Sequence, residues 1–349
     1  MAVTGLVLQG GGALGAFELG VIECLLDGGI KPDVVSGVSI GAINAAVLCG
    51  CRNNNPKVSL AALWEDLTTP SVPLQLDVVN ENISVFGNPG MYLPRTDYLN
   101  ILRWTSFYDT SPLVATLEKH VDFDKLTPQN LALAPHARAP RLILTATDLL
   151  AGRLDKFDSK HMAITPAHVR ASGSLPPSFP PTLAAAPRHA KDGERLYWDG
   201  GLFDNTPLSK VIDALQESDD PDKSMYVVNL FPSAAPAPQN MPEVLARMMT
   251  LAFSNKADKD LKRAHQTTAL IRFVDELDRL MQKHDELKPL AKLSGYEVMK
   301  QFKAPIHIVE ITNQDATGAA DFSAQGIARR RRAGYEAAAD KISKTKAAA

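Results

Sequence analysis

Long hydrophobic runs are missing from this chain, so no segment is expected to span a bilayer. Cysteine is scarce. Cys24, Cys49 and Cys51 are the only three, an odd count without framework spacing. That excludes a disulfide-built scaffold and points to a reducing compartment. Cys49-Gly50-Cys51 would be half of a metal site, but no second pair completes it, so the two thiols read as a helix end and no metal is expected. Charge of one sign is lacking too. Thirty-seven basic residues face 39 acidic ones, a net charge of −2, which leaves no electrostatic case for a nucleic-acid partner. No basic leader precedes the first apolar run, Thr4 to Gln9. The expectation is a cytoplasmic, soluble protein, with peripheral contact at a membrane surface left open.

What is present is enough for a core. The chain has 349 residues, 45% of them hydrophobic, sufficient for one large domain or two modest ones. It opens with a buried-strand run, Gly5-Leu6-Val7-Leu8-Gln9, then Gly10-Gly11-Gly12-Ala13-Leu14-Gly15. Leu14, Phe17, Val21, Ile22, Leu25 and Leu26 follow at helical spacing, and Gly28-Gly29 ends them. Asp33 to Ser36 reads as a second strand. A right-handed crossover makes the two strands parallel, with both C-terminal ends on one edge.

On that edge stands Gly37-Val38-Ser39-Ile40-Gly41. G-x-S-x-G is the spacing of a nucleophile elbow, a sharp strand-to-helix turn that holds a serine hydroxyl clear of the backbone. The residues two before and two after the serine approach each other, so both must lack bulk. The following helix directs its free N–H groups at the point where charge would develop.

The triple-glycine loop has two readings. It fits G-x-G-x-x-G, the dinucleotide fingerprint, but that motif wants an acidic residue at the end of the second strand, where this chain has Val35-Ser36-Gly37. Alternatively its bare N–H groups form an oxyanion hole for an intermediate on Ser39. A tight turn without any ligand is the plain structural alternative.

Further along, Lys57 to Leu67 reads as a helix burying Leu60, Leu63, Trp64 and Leu67. From Pro70 to Pro112 prolines, glycines and large apolar residues alternate without a period. An irregular insertion with its own small core is favoured there over a lid or an apolar lip meeting lipid. Arg141 to Asp148 is a strong strand, Pro166 to Ser172 a short helix, and Pro176 to Pro181 a rigid loop. A short strand ends in Asp199-Gly200-Gly201, and Thr206-Pro207 marks the next helix as N-cap and first residue. Met225 to Phe231 is a buried strand and Pro232 to Pro242 a linker. A long helix runs from about Pro242 to Leu287, with Leu270, Val274, Leu277, Met281 and His284 as its stripe, suited to a helix hairpin or a dimer contact. Pro305 to Ile311 is a last strand, and Asp321 to Ile342 a closing helix whose Arg329 to Arg332 run reads as a solvated face in preference to an anionic-membrane contact.

A serine nucleophile needs a base. The eight histidines are His120, His136, His161, His168, His189, His265, His284 and His307. None sits in a glycine-bearing turn after a strong strand. His307 falls inside a strand, and His161 and His168 read as surface residues near a helix start. A carboxylate is the alternative, a poor base unless burial raises its pKa. Asp199 has the context, Asp148 competes on position, and Asp204 reads as a helix-start residue.

Gly10 to Gly15, Gly37 to Gly41 and Asp199 to Gly201, in that order, resemble the patatin-like phospholipase family. The resemblance covers roughly residues 4 to 210 and implies a three-layer α/β/α sandwich around a mostly parallel sheet. Residues 1–235 would be the catalytic domain, and 236–349 a helical extension with one returning strand, packed on it, as in one bacterial branch. The resemblance implies a Ser–Asp dyad of Ser39 and Asp199. Gly10, Gly11, Gly12 and Ile40 would form the oxyanion hole, and Gly37, Gly41, Gly200 and Gly201 would support elbow and dyad. It implies ester hydrolysis in lipids through an acyl-serine, with no cofactor. An acyltransferase using the same serine, or a non-catalytic lipid-binding member, are the alternatives. Homo-oligomerisation through the C-terminal helices is compatible with it. Many members carry a basic residue where this chain has Leu14, which leaves neutral esters and lysolipids open as substrates.

Overall fold

The computed structural model describes residues 3–70, 86–134, 138–187, 193–231, 237–238, 241–299, 304–315 and 317–348. Its strands are β1 (Val3–Leu8), β2 (Val34–Gly37), β3 (Leu93–Pro94), β4 (Tyr108–Asp109), β5 (Arg141–Asp148), β6 (Arg153–Asp158), β7 (Thr182–Ala185), β8 (Glu194–Asp199), β9 (Lys223–Asn229) and β10 (Ile306–Thr312). Its α-helices are α1 (Gly15–Asp27), α2 (Ile40–Gly50), α3 (Pro56–Asp66), α4 (Ser111–His120), α5 (Pro128–Leu131), α6 (Pro166–Ser172), α7 (Leu208–Gln216), α8 (Met241–Lys283), α9 (Ser294–Met299) and α10 (Ala324–Ala348). Among the described residues no helix is long and apolar enough to cross a membrane.

The main sheet has the order β10-β9-β1-β2-β5-β8-β7, with β6 also on β5. The five strands from β10 to β5 are parallel, and β6, β7 and β8 join antiparallel. The sheet is therefore mixed but mostly parallel, with helices on both faces, an α/β sandwich. Side-chain alternation explains the two layers. Leu6, Leu8, Val35, Leu142 and Leu144 face the layer that includes α1, α2 and α3. Val7, Val34 and Ile143 face the other, with Leu208, Val211 and Leu215 of α7 and Leu261 and Ala264 of α8.

The ends of two strands set up the site. Gly37, the last residue of β2, lies beside Leu144, and Asp199, the last residue of β8, lies beside Ala146. Strand β6 takes the opposite edge of β5 from Ile143 to Asp148. Hence β2 and β8 share one edge of β5 and run toward each other, with only Thr145 between their ends.

Several expectations need correction. The buried stripe of α8 is Leu261, Ala264, Thr268, Ile271, Val274 and Met281, whereas Leu270 is exposed. Helix α7 begins at Leu208 with Pro207 as its N-cap, one residue later than the sequence suggested. The arginine run is not simply solvated. Arg330 is buried, donating to the Gly318 and Asp321 carbonyls and to the Asp321 carboxylate. Arg331 makes a two-pronged pair with Glu23 of α1 at 2.8 and 2.7 Å. His168 is buried too, completing a capping box with Thr165 and contacting the Ala185 carbonyl at 3.0 Å. His307 lies in a strand as expected, exposed on the edge strand β10. His136, His189 and most of the expected Pro232-to-Pro242 linker lie outside the described residues, as does part of the Pro70-to-Pro112 insertion.

Candidate active site

Ser39 occupies the turn between β2 and α2, with φ 55° and ψ −124°. A non-glycine residue reaches positive φ at a cost of about 1–3 kcal/mol and stays there only when its surroundings enforce it. They do so here. The Ser39 N–H donates to the Ser172 carbonyl at 3.0 Å and lies 3.2 Å from Ser172 Oγ. Ser172 Oγ in turn donates to the Thr145 carbonyl at 2.8 Å. A Cβ on Gly37 would overlap the Gly41 carbonyl, and one on Gly41 would lie 2.7 Å from the Leu8 carbonyl oxygen. Gly37 thus closes the turn on Gly41, and Gly41 sits against the end of β1, each without a side chain.

The Ser39 side chain lies close enough to the Asp199 carboxyl to act as a donor that lowers its pKa. Asp199 is buried, and its Oδ1 accepts the Gly201 N–H at 2.7 Å. Burial pushes its pKa up to about 7, against the lowering effect of those two donors. Its backbone is fixed on both sides, by N–H donation to the Ser174 carbonyl at 3.0 Å and by the Thr147 hydroxyl on its own carbonyl at 2.8 Å. Gly200 lies against the Thr145 carbonyl.

Asp148 is differently placed. Burial alone would raise its pKa, but the Ala151 N–H and Arg195 at 2.5 Å outweigh it and hold the carboxyl below its ordinary value. It is an ion-paired acid, unsuited to accept a proton from an alcohol. Asp204 Oδ1 accepts the Thr206 N–H at 3.3 Å, in the turn before α7.

The glycine loop crosses over the serine. Gly10 lies so close that a Cβ there would come within 3.0 Å of Ser39 Cβ. Its N–H, however, donates to the Asn205 carbonyl at 3.4 Å, so Gly10 belongs to the loop's own bonding and not to the free donors expected of it. Among the described residues, no hydrogen bond takes the N–H groups of Gly11, Gly12 or Ile40. Gly12 has φ +57°, and its neighbour Ala13 donates to the Ala319 carbonyl at 2.8 Å. Leu14 is fully buried beside this loop, in the apolar layer of α1.

Three supports escaped the sequence reading. Asn205 Nδ2 donates to the Gly10 carbonyl at 3.0 Å. Gln9 is buried and tied three ways: its amide donates to Thr206 Oγ1 at 2.7 Å, its side-chain oxygen accepts the Leu230 N–H, and its backbone N–H reaches Glu18 Oε1 at 2.7 Å. Glu18 also accepts from Asn44 Nδ2 at 2.9 Å, and Asn44 accepts from the Trp64 indole. Burial raises the Glu18 pKa to about 8, outweighing the bonds from Asn44 and Gln9. The polar run Asp204-Asn205-Thr206 so soon after Asp199-Gly200-Gly201 was the one available signal, because three adjacent polar residues are buried only when each has partners.

The fold and site define an α/β protein with an elbow serine facing a buried carboxyl. A model of the patatin-like phospholipase family matches residues 6–212, more than half the chain, and the protein belongs to that family. An 82-residue stretch is 39% identical to the neuropathy target esterase sws of Drosophila melanogaster and of Drosophila sechellia. That stretch is 24% of this chain but only 6% of the length of those relatives. Among solved structures, VipD from Legionella pneumophila aligns over 99% of this chain and 67% of its own, at 16% identity and a TM-score of 0.41. ExoU in its complex with SpcU from Pseudomonas aeruginosa aligns over 83% of this chain and 59% of its own, at 18% identity and a TM-score of 0.34.

Proposed function

We propose that the protein is a serine lipid acyl hydrolase working through a Ser39–Asp199 dyad. The observation that carries this reading is the Ser39 elbow and the buried Asp199 carboxyl brought to either side of Thr145, with burial pushing the Asp199 pKa up to about 7. A carboxylate of that basicity is matched to proton transfer at neutral pH, which an ordinary aspartate is not.

In the proposed reaction Asp199 takes the Ser39 proton as Oγ attacks the acyl carbonyl. The oxyanion forms beside the unengaged N–H groups of Gly11, Gly12 and Ile40, at the N-terminus of α2. Asp199 then gives its proton to the leaving alcohol, and an acyl-Ser39 ester remains. Water repeats the cycle in reverse roles and releases a fatty acid. Residues 1–235 would house this chemistry, and 236–349 would complete the sheet and cover α1. An acyltransferase would share every step except the identity of the final acceptor.

The test is labelling with a fluorophosphonate followed by peptide mass spectrometry. Label on Ser39, absent in Ser39→Ala and much reduced in Asp199→Asn, is expected. No label on folded protein, with and without lipid vesicles, would overturn the reading in favour of a lipid-binding member without turnover. Release of free fatty acid, against transfer to an added alcohol, separates hydrolase from transferase.

A further inference from the structure

Strands β3 and β4 form a small hairpin whose tip carries a 3-10 turn, Tyr98–Arg103. Two leucines in that turn touch nothing: Leu99 is 102% exposed and Leu102 is 98% exposed. Residues i and i+3 of a 3-10 turn eclipse, so the two side chains project from the same side. Tyr98, Ile101 and Phe107 beside them are exposed as well. Single exposed apolar residues are ordinary, but four on one tip with a fifth at its base are not.

The base of the hairpin is fixed. Tyr92, Tyr108 and Phe179 pack ring on ring, with centroids 4.9 to 6.1 Å apart. The Phe107 and Tyr108 N–H groups donate to the carbonyls of Pro177 and Ser178 at 3.2 and 3.0 Å. That same 173–181 loop borders the site, with Gly173 against the Ser39 backbone and the Ser174 carbonyl on the Asp199 N–H. The base of the hairpin is therefore held on the loop that borders Ser39 and Asp199. Leu202 and Phe203, one turn past Asp199, are exposed in the same sequence neighbourhood.

Beside the leucines are residues of the kind that rest at a membrane–water boundary. Arg95 stacks over Trp104 at 5.3 Å, and Tyr98 lies 5.8 Å from the same indole. Arg103 adjoins Leu102 and is exposed, without an ion-pair partner among the described residues. The leucines thus share one hairpin tip with an aromatic pair, an exposed arginine and the Arg95–Asp97 ion pair.

We propose that the Tyr98–Arg103 turn inserts Leu99 and Leu102 into a phospholipid surface and so seats the Ser39 mouth on its substrate layer. The proposal deepens the lipid hydrolase reading and rests on it for the choice of a lipid rather than a protein occupant. A projecting tip suits insertion. A protein-binding hot spot would instead be a patch closed to water by a surrounding rim.

The test uses the full chain in a Ser39→Ala background, so that vesicles stay intact. The probe is flotation with phosphatidylcholine vesicles, with and without phosphatidylglycerol. Ser39→Ala should float, and adding Leu99→Ser with Leu102→Ser should weaken partition at least about tenfold, from two leucines lost to hydrocarbon. Bromolipids should quench Trp104 in the unsubstituted tip, a signal that Trp104→Phe removes. Equal flotation of the doubly substituted chain, or no quenching of Trp104, overturns the proposal. So does a lipid-free sedimentation coefficient that falls on substitution, because the tip would then be covered by a second copy of the chain. Fluorophosphonate labelling of the unmodified chain stands apart from these readings. Label without leucine-dependent flotation sinks the surface alone, and leucine-dependent flotation without label sinks the hydrolase alone.

Discussion

Asn205 Nδ2 donates to the Gly10 carbonyl at 3.0 Å, and the Gly10 N–H returns to the Asn205 carbonyl at 3.4 Å. This two-way pair ties the glycine loop after β1 to the turn that follows Asp199. The donors proposed for the oxyanion and the proposed base are thereby held in one frame, although 189 positions separate Gly10 from Asp199 (199 − 10).

Removing the clasp should show in rate before it shows in fold. Asn205→Ala leaves the buried Gly10 carbonyl without its side-chain donor, a loss of about 1–3 kcal/mol. A loop displaced by a fraction of an ångström also misplaces N–H groups, which costs on the order of a hundredfold in turnover. Asn205→Asp, which keeps the shape and removes the donor, should lose similar activity. Steady-state kinetics on a short-chain ester checks both, and full activity in both would show that the loop holds its geometry without Asn205.

Much of this frame was legible in the sequence, and the reason is local. The runs Leu6-Val7-Leu8 and Val34-Val35 are apolar on both faces, as a doubly covered parallel strand must be, and Gly37 and Gly41 sit at a spacing that only a tight turn needs. The rest depended on partners far along the chain. Arg330 and Arg331 read as solvated because nothing nearby in sequence reveals Asp321 folding back or Glu23 waiting on α1. The α8 stripe was right at Val274 and Met281 but missed Ala264 and Thr268, which are weakly apolar, because only packing against β10 and α7 selects their face over that of Leu270. Gly10 looked like a free donor until the Asn205 carbonyl appeared opposite it.

The pKa of Asp199 sets a pH profile. A base must be ionised in the free enzyme, so kcat/KM should rise with pH through about 7 and level off above it. With an ordinary aspartate the rise would end near pH 4. A profile flat from pH 5 to 8 would mean that Asp199 is not the group taking the proton. Asp199→Asn should keep the fold and abolish turnover.

Glu18 predicts a stability effect of its own. Unfolded, its carboxyl ionises near the ordinary glutamate value of about 4.5, and folded, burial pushes it up to about 8. Between those values the folded state holds the extra proton, so raising pH favours unfolding across that window. The native protein should therefore lose melting temperature from about pH 5 to pH 8. Glu18→Gln, which cannot ionise, should flatten that slope while losing the acceptor for Asn44 Nδ2. Thermal denaturation at several pH values is the measurement, and an unchanged slope would place the titration elsewhere.

The last helix makes an unusually close contact with α1. A Cβ on Gly334 would overlap the Phe17 carbonyl oxygen and lie 2.8 Å from its carbon, and one on Gly20 would overlap the Arg331 carbonyl and lie 2.7 Å from the Tyr335 nitrogen. Helices α1 and α10 thus meet backbone to backbone, with the Arg331–Glu23 pair alongside. Glycine inside a helix ordinarily costs about 0.5–1 kcal/mol relative to alanine, so replacing it usually stabilises. At Gly334 the sign should reverse, because α10 must move away from α1, with a loss of about 1–3 kcal/mol from overpacking. Gly295 in α9 has nothing within 4 Å of its virtual Cβ, so the same change there should be neutral or stabilising. Since α1 carries Glu18 and follows directly from the glycine loop, Gly334→Ala should also lower turnover, whereas Gly295→Ala should not. Equal melting temperatures for the two variants would mean that α10 is not seated on α1 in solution.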